Sequence, residues 1–144
     1  MDTPHTPQRF TTRSEAETVE LGERLAASLR AGATLLLHGD LGAGKTTLVR
    51  GIAKGLGIDP VEVSSPTFVL IQEYTGRLKL YHVDLYRVER AAVDDLGLEE
   101  LAEGSAVVVI EWAERLPRPF PGATRLTIAD KGGNVREILV EKQL

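Results

Sequence analysis

The hydrophobic residues along the chain follow two spacings, one typical of helices and one typical of strands. Within residues 21–29, leucines lie four positions apart, which predicts a helix with one apolar face. Ser14 and Glu17 have the spacing of a capping box and predict where this helix begins. The same periodicity predicts a second helix over residues 44–56, and Gly57 follows its end, as is common for helices.

Short apolar segments bounded by turn residues predict the strands. TLLLH at 34–38 and AVVVI at 106–110 are mostly apolar, which is typical of buried strands. Two pairs of segments predict hairpins: FVLIQEY with RLKLYHVDLY, and RLTIAD with REILVEK. RFTT predicts a short edge strand, and residues 92–102 predict a short amphipathic helix. This alternation predicts an α/β fold with helices layered on a sheet, and the hairpins predict that the sheet mixes parallel and antiparallel strands.

The composition indicates one domain with its own core. The chain has 144 residues, 42% of them hydrophobic, which predicts a single domain over residues 9–144 after a flexible tail at residues 1–8. The formal net charge is -4 and no dense run of Lys and Arg is present, so we expect nucleic acid to be handled mainly by a partner. The absence of cysteine excludes disulfides. No segment is long and apolar enough to span a membrane, and we expect a cytoplasmic protein.

The segment between the first apolar strand and the second helix matches the phosphate-binding pattern G-x-x-x-x-G-K-[ST]. Its glycines allow the backbone N–H groups to point inward and form a nest for phosphate oxygens. Lys45 can reach the terminal phosphates, and the hydroxyl of Thr46 can bind Mg²⁺. We therefore assign nucleotide binding to Gly39, Asp40, Leu41, Gly42, Ala43, Gly44, Lys45, Thr46 and Thr47.

Two acidic residues at strand ends are candidates to fix Mg²⁺ and to orient an attacking water. Asp84 ends LYHVD, and Glu111 follows five consecutive aliphatic residues. We favour Glu111 as metal ligand or water-orienting base, with Asp84 in the same magnesium shell. An acid at a strand end is also often solvated or caps a helix, and this alternative stays open for Asp84.

Further residues carry weaker signals. Thr67 lies in a loop that can order around Mg²⁺ and a γ-phosphate, although an ordinary Ser/Pro turn fits the same residues. Trp112, the sole tryptophan, can stack on a nucleobase or pack in the core. No N-K-x-D pattern is present to read guanine, so ATP is favoured. The strand position of His82 indicates a structural residue, and nothing local requires Arg136 to touch nucleotide.

Four ordered motifs resemble the TsaE family, formerly YjeE, over roughly residues 10–140: GDLGAGKTTLVRG, SSPTF with QEY, YHVDLYR and IEWAER. The resemblance implies a three-layer P-loop NTPase fold and weak ATP hydrolysis with Mg²⁺. It also implies docking on a TsaD–TsaB complex that makes threonylcarbamoyladenosine (t6A) in tRNA, with nucleotide turnover resetting that complex.

The same resemblance implies roles for individual residues. Lys45 and Thr46 would handle phosphate and Mg²⁺, and Thr67 would belong to a switch-like loop. Asp84 lies in the family's H-x-D-x-Y-R motif, while Glu111 and Trp112 form its E-W motif.

The residues leave two other functions open. One is a small-molecule kinase, although no cluster of arginines follows the P-loop helix. The other is a binding module that senses nucleotide without hydrolysing it, which the residues do not separate from a slow ATPase.

Overall fold

A computed structural model describes residues 7–40, 42–63 and 70–142. Its strands are β1 (Gln8–Thr12), β2 (Thr34–His38), β3 (Ile71–Thr75), β4 (Lys79–Asp84), β5 (Val107–Glu111), β6 (Thr124–Asp130) and β7 (Arg136–Lys142). Its α-helices are α1 (Glu15–Ala27), α2 (Lys45–Gly55) and α3 (Leu98–Glu103). Short 3-10 helices cover Pro60–Glu62, Arg90–Leu96 and Ala113–Arg115.

Within the described ranges, the strands form one seven-stranded sheet in the order β1-β7-β6-β2-β5-β4-β3. The central strands β6, β2, β5 and β4 run parallel to one another. The outer strands β1, β7 and β3 pair antiparallel. The predicted mixed sheet is therefore confirmed, and the two predicted hairpins are the antiparallel pairs β3–β4 and β6–β7.

Helices and loops cover both faces of the sheet, which gives the predicted three layers. On one face, Leu80, Val107 and Val109 pack with residues of α1 and α2 such as Leu21 and Leu48. On the opposite face, residues of β2, β4 and β5 pack against the connecting segments, one of which contains α3. The strand residues are Leu36, Val83, Val108 and Ile110, and those of the connecting segments are Val93, Leu98 and Phe120. Because side chains alternate along a strand, each position in β4 and β5 is committed to one face.

The two long helices pack almost backbone to backbone through glycines. A Cβ atom on Gly51 of α2 would lie 2.1 Å from the carbonyl oxygen of Val19 in α1. A Cβ atom on Gly22 of α1 would lie 2.6 Å from the carbonyl oxygen of Leu48. The absence of side chains at these positions therefore lets α1 hold α2 close, and α2 begins at the phosphate-binding pattern.

Several boundaries differ from the sequence-based expectation. Ser14 caps α1 as predicted, and its hydroxyl accepts a hydrogen bond from the N–H of Glu17 at 3.1 Å. The helix predicted over residues 92–102 is instead two short helices, because Gly97 adopts a left-handed conformation with φ of 69° between them. Gln8, the last residue of the predicted tail, already belongs to β1. In the described part of the chain, no helix is long and apolar enough to cross a membrane.

Replacing Gly51 with alanine tests the close packing of α1 and α2. We expect Gly51→Ala to lower the free energy of unfolding by about 1–3 kcal/mol, because the added methyl group must displace the backbone of α1. Urea unfolding measures this change. Gly104→Ala is the matched control, since its Cβ would lie 3.5 Å from the carbonyl oxygen of Leu101, an ordinary contact. Equal stability of the two variants would contradict the packing argument.

Candidate functional site

Two glycines shape the loop between β2 and α2. Gly39 directly follows β2 with φ of 152°, and a Cβ atom there would lie 2.7 Å from the carbonyl oxygen of Ile128 in β6. Gly44 has φ of 103° and stands immediately before the first residue of α2. Both conformations are rarely adopted by residues with a side chain. The two glycines of the predicted pattern are thus required by space and by backbone conformation; Leu41, also assigned to this loop, lies outside the described residues.

The start of α2 provides donors and positive potential for an anion. The first helical hydrogen bond runs from the N–H of Leu48 to the carbonyl oxygen of Gly44 at 3.0 Å. The N–H groups of the preceding turn therefore have no partner inside the helix. The helix dipole adds partial positive charge at the same end. This arrangement suits a phosphate group bound by residues 44–47.

Lys45 is buried beside the loop. Its ammonium donates to the carbonyl oxygen of Gly39 and lies 3.5 Å from that of Asp40. It also lies 3.6 Å from the centroid of the Trp112 ring, a cation–π contact. Burial lowers the pKa of Lys45, and the surrounding carboxylates, led by Glu114, oppose this shift. The loop carbonyls and the aromatic face together hold the lysine within the loop.

The two predicted acids meet at the carboxyl ends of neighbouring strands. Asp84 and Glu111 end β4 and β5, and they lie opposite each other in the parallel register. By alternation, both side chains point to the sheet face that α2 covers. The Thr46 hydroxyl lies 3.5 Å from Oε2 of Glu111. The structure thus brings Thr46 and Glu111 together and places Asp84 on the adjacent strand.

Asp84 has a backbone partner and a perturbed acidity. One of its carboxylate oxygens accepts a hydrogen bond from the N–H of Tyr86 at 2.9 Å. Burial is the main cause that raises the pKa of Asp84, and the charge of Glu111 raises it further. The Tyr86 N–H, His82 and Lys45 act in the opposite direction. A cation placed beside this carboxyl group would stabilise its ionised form.

Trp112 lies beside Lys45 and at the edge of the core, where it also packs against buried hydrophobic residues. Its backbone is left-handed, with φ of 59°, the one positive φ among the described residues other than glycine. Its half-buried ring contacts the Lys45 ammonium and stands 4.9 Å from the Tyr86 ring, tilted by 39°. The ring therefore lies at the phosphate end of the loop, while its stacking on a nucleobase stays a prediction.

Two residues that had no predicted functional role contact the site directly. His82 is fully buried, and its Nε2 contacts Oε2 of Glu111. Arg136, at the start of β7, donates from Nε to the carbonyl oxygen of Ala43 at 2.9 Å and pairs with Asp130 at 3.1 Å. The sequence signal for His82 was its position two residues before Asp84, which places both on the same face of the strand. Nothing in the sequence indicated that β7 reaches the loop.

The donor set has the chemistry that Mg²⁺ prefers. Magnesium is commonly bound by one or two carboxylates and a hydroxyl, together with substrate phosphates and water. Among the described residues, no three His, Cys, Asp or Glu side chains group as a self-sufficient metal centre. Thr46, Asp84 and Glu111 therefore fit an ion that arrives with phosphate better than a permanent protein-bound metal. Thr67, the fourth residue assigned to this chemistry, lies outside the described residues.

The acidity of Asp84 gives a pH-dependent prediction. The pKa of Asp84 is raised in the folded state, so the folded protein binds this proton more tightly than the unfolded chain does. The free energy of unfolding therefore falls as pH rises through the folded-state pKa. Asp84→Asn keeps an oxygen acceptor for Tyr86 and removes the charge. We expect this variant to be more stable than the parent protein at neutral pH, and equally stable below the unfolded-state pKa of about 3.9.

Urea unfolding across pH measures this difference. Asp95→Asn, at an exposed aspartate, is the control and should show none. Lower stability of Asp84→Asn at neutral pH would contradict the account of this carboxyl group.

Comparisons with known proteins show which family the chain resembles. The sequence model of the family described as "Threonylcarbamoyl adenosine biosynthesis protein TsaE" matches residues 12–138. The chain is 49% identical over 130 residues to a Nostoc protein named tRNA threonylcarbamoyladenosine biosynthesis protein TsaE, covering 84% of this chain and 78% of that protein. A Bacillus subtilis protein of the same name is 44% identical over 133 residues, covering 90% and 82%.

A solved structure shares the fold. The crystal structure of Bacillus subtilis YdiB superposes with a TM-score of 0.76 at 34% identity, covering 98% of this chain and 88% of that one. The family match and the curated relatives confirm the resemblance that the four motifs indicated. The chain therefore belongs to the TsaE family of threonylcarbamoyladenosine biosynthesis proteins.

Proposed function

We propose that this protein binds and hydrolyses ATP as a subunit of the machinery that makes t6A in tRNA, acting on a TsaD–TsaB complex. The observation that carries the proposal is the convergence of the α2 N-terminus, Lys45, and the strand-end acids Asp84 and Glu111 at one edge of the sheet. The names of the relatives support the biosynthetic context. The partners TsaD and TsaB come from the family resemblance.

Different residues of the site would bind the phosphates and the Mg²⁺ ion of ATP. The N–H groups at the start of α2 and the ammonium of Lys45 would hold the phosphates. Thr46, with Asp84 or Glu111, would hold Mg²⁺ at the junction of α2 and the sheet. When bound there, Mg²⁺ would supply positive charge to phosphate oxygens that gain negative charge during hydrolysis.

The surrounding side chains would orient the reaction and limit access of solvent. The Glu111 carboxylate is almost fully buried, with 3% exposure, so few water molecules can reach it without being ordered by the site. We assign it the orientation of the attacking water. Tyr86 and Trp112 form an aromatic pair next to Lys45 and would cover the phosphate end. By resemblance, Thr67 would belong to a switch-like loop.

The charge of the chain supports indirect contact with tRNA. At a formal net charge of -4, the protein would be repelled by a polyanion at long range. We therefore propose that tRNA is held by the TsaD–TsaB complex, that this subunit contributes nucleotide turnover, and that the assembly works in the cytoplasm.

Lys45→Met tests the phosphate site. Without the ammonium, we expect ATP affinity to fall about 10- to 100-fold, since a hydrogen bond to a charged group contributes about 1.5–3 kcal/mol. Calorimetry measures the affinity, and reconstitution with TsaD, TsaB and the enzyme that supplies threonylcarbamoyl-adenylate measures multi-turnover t6A formation. Lys54→Met, an exposed lysine of the same helix, is the control. Unchanged modification with Lys45→Met would refute the proposal.

Glu111→Gln separates hydrolysis from binding. Loss of the carboxylate should slow single-turnover phosphate release about 100-fold or more, because the water loses its orienting base. ATP affinity should change only a few-fold, because the phosphate donors remain. Glu103→Gln, at an exposed glutamate that ends α3, serves as control. Phosphate transferred to a metabolite would favour a kinase, and unchanged release would remove Glu111 from the mechanism.

A further inference from the structure

His82 is a buried polar side chain that the core does not require. It lies in β4 opposite Val109 of β5 and Gln72 of β3, with 0% exposure. Leu80, two residues earlier on the same face, packs in the core with α2. Burying an imidazole instead of an aliphatic side chain is costly unless its polar atoms have partners. The reason for a histidine here therefore lies in what it contacts.

The contact of His82 is with one oxygen of one residue. Its Nε2 meets Oε2 of Glu111, the same oxygen that the Thr46 hydroxyl approaches to 3.5 Å. Among the described residues, no hydrogen bond is made to the other carboxylate oxygen of Glu111 or to Nδ1 of His82. A ring that donates from Nε2 and leaves an unprotonated Nδ1 fits these contacts. The proton position is assigned from this hydrogen bond.

This contact restricts how the Glu111 carboxylate is turned. The terminal torsion of a glutamate is broad, so a carboxylate held at one point can rotate. Donors from β4 and from α2 both approach Oε2 of Glu111. The hydrogen bond from His82 in β4 therefore limits the rotation of the Glu111 carboxylate.

We propose that His82 is a positioning residue that fixes the orientation of the Glu111 carboxylate through Nε2, an inference that rests on the proposed function of Glu111. Among the described residues, the side-chain hydrogen bond of His82 is made with Glu111. It acts through Glu111, as hydrogen-bond partners of metal ligands and catalytic groups commonly do.

Two substitutions of similar size separate positioning from packing. His82→Leu fills the space without a donor, whereas His82→Gln supplies an amide N–H at about the reach of Nε2. At saturating ATP, we expect His82→Leu to slow single-turnover phosphate release about 10- to 100-fold, as loss of such partners typically does. ATP affinity measured by calorimetry should change less than about 3-fold, since His82 makes no side-chain hydrogen bond to the described residues of the loop. His82→Gln should recover most of the rate.

A double substitution tests whether the effect passes through Glu111. In the Glu111→Gln background, adding His82→Leu should lower the remaining rate less than about 2-fold, because a residue that acts through another loses its effect when the other is removed. Independent, multiplicative losses would overturn the proposal. Equal impairment of His82→Leu and His82→Gln would also overturn it, since volume would then be the cause.

Measurements that need no ATP turnover test the positioning role of His82 separately from the proposed ATPase activity. Crystal structures of the three proteins should show the Glu111 carboxylate reoriented in His82→Leu and retained in His82→Gln. Emission of Trp112, the sole tryptophan and the residue after Glu111, should differ from the parent only in His82→Leu. An unchanged Glu111 in His82→Leu would refute positioning. Failure of the parent protein to bind ATP, with Glu111 still displaced in His82→Leu, would refute the proposed function alone.

Discussion

The seating of the first turn of α2 over the carboxyl ends of β4 and β5 is the constraint on which the site depends. Thr46 can approach Glu111 only because α2 lies close to the sheet, and α2 is held there by α1 through contacts that leave no room for side chains at Gly22 and Gly51. The glycines of this interface lie far along the chain from the acids. They nonetheless determine whether hydroxyl and carboxylate meet.

The same place concentrates buried ionisable groups. Lys45, His82, Asp84 and Glu111 are all nearly excluded from solvent. Burial lowers the pKa of Lys45 and raises the pKa of Asp84. A protein selected only for stability would place apolar side chains here. Perturbed groups such as Lys45 and Asp84, placed together at the ends of strands, are typical of functional sites.

Much of this site was predictable because its determinants are local in the chain. Gly39 and Gly44 are required by the conformation of a single loop. Asp84 and Glu111 could be recognised because each stands at the end of an apolar segment. His82 and Arg136 were not selected, because their contacts span 29 and 93 residues and depend on the strand order. The split of the helix predicted at residues 92–102 has a local cause that periodicity overlooked, the left-handed Gly97.

The most direct test of the account is a crystal structure with a non-hydrolysable ATP analogue and Mn²⁺ in place of Mg²⁺. Anomalous scattering would locate the ion independently of the protein atoms. We expect a peak at roughly 2.1 Å from the Thr46 hydroxyl oxygen, the distance for direct binding of such an ion, with phosphates along the start of α2 and Asp84 or Glu111 in the ion's shell. Triphosphate bound elsewhere, or an ion remote from both carboxylates, would contradict it.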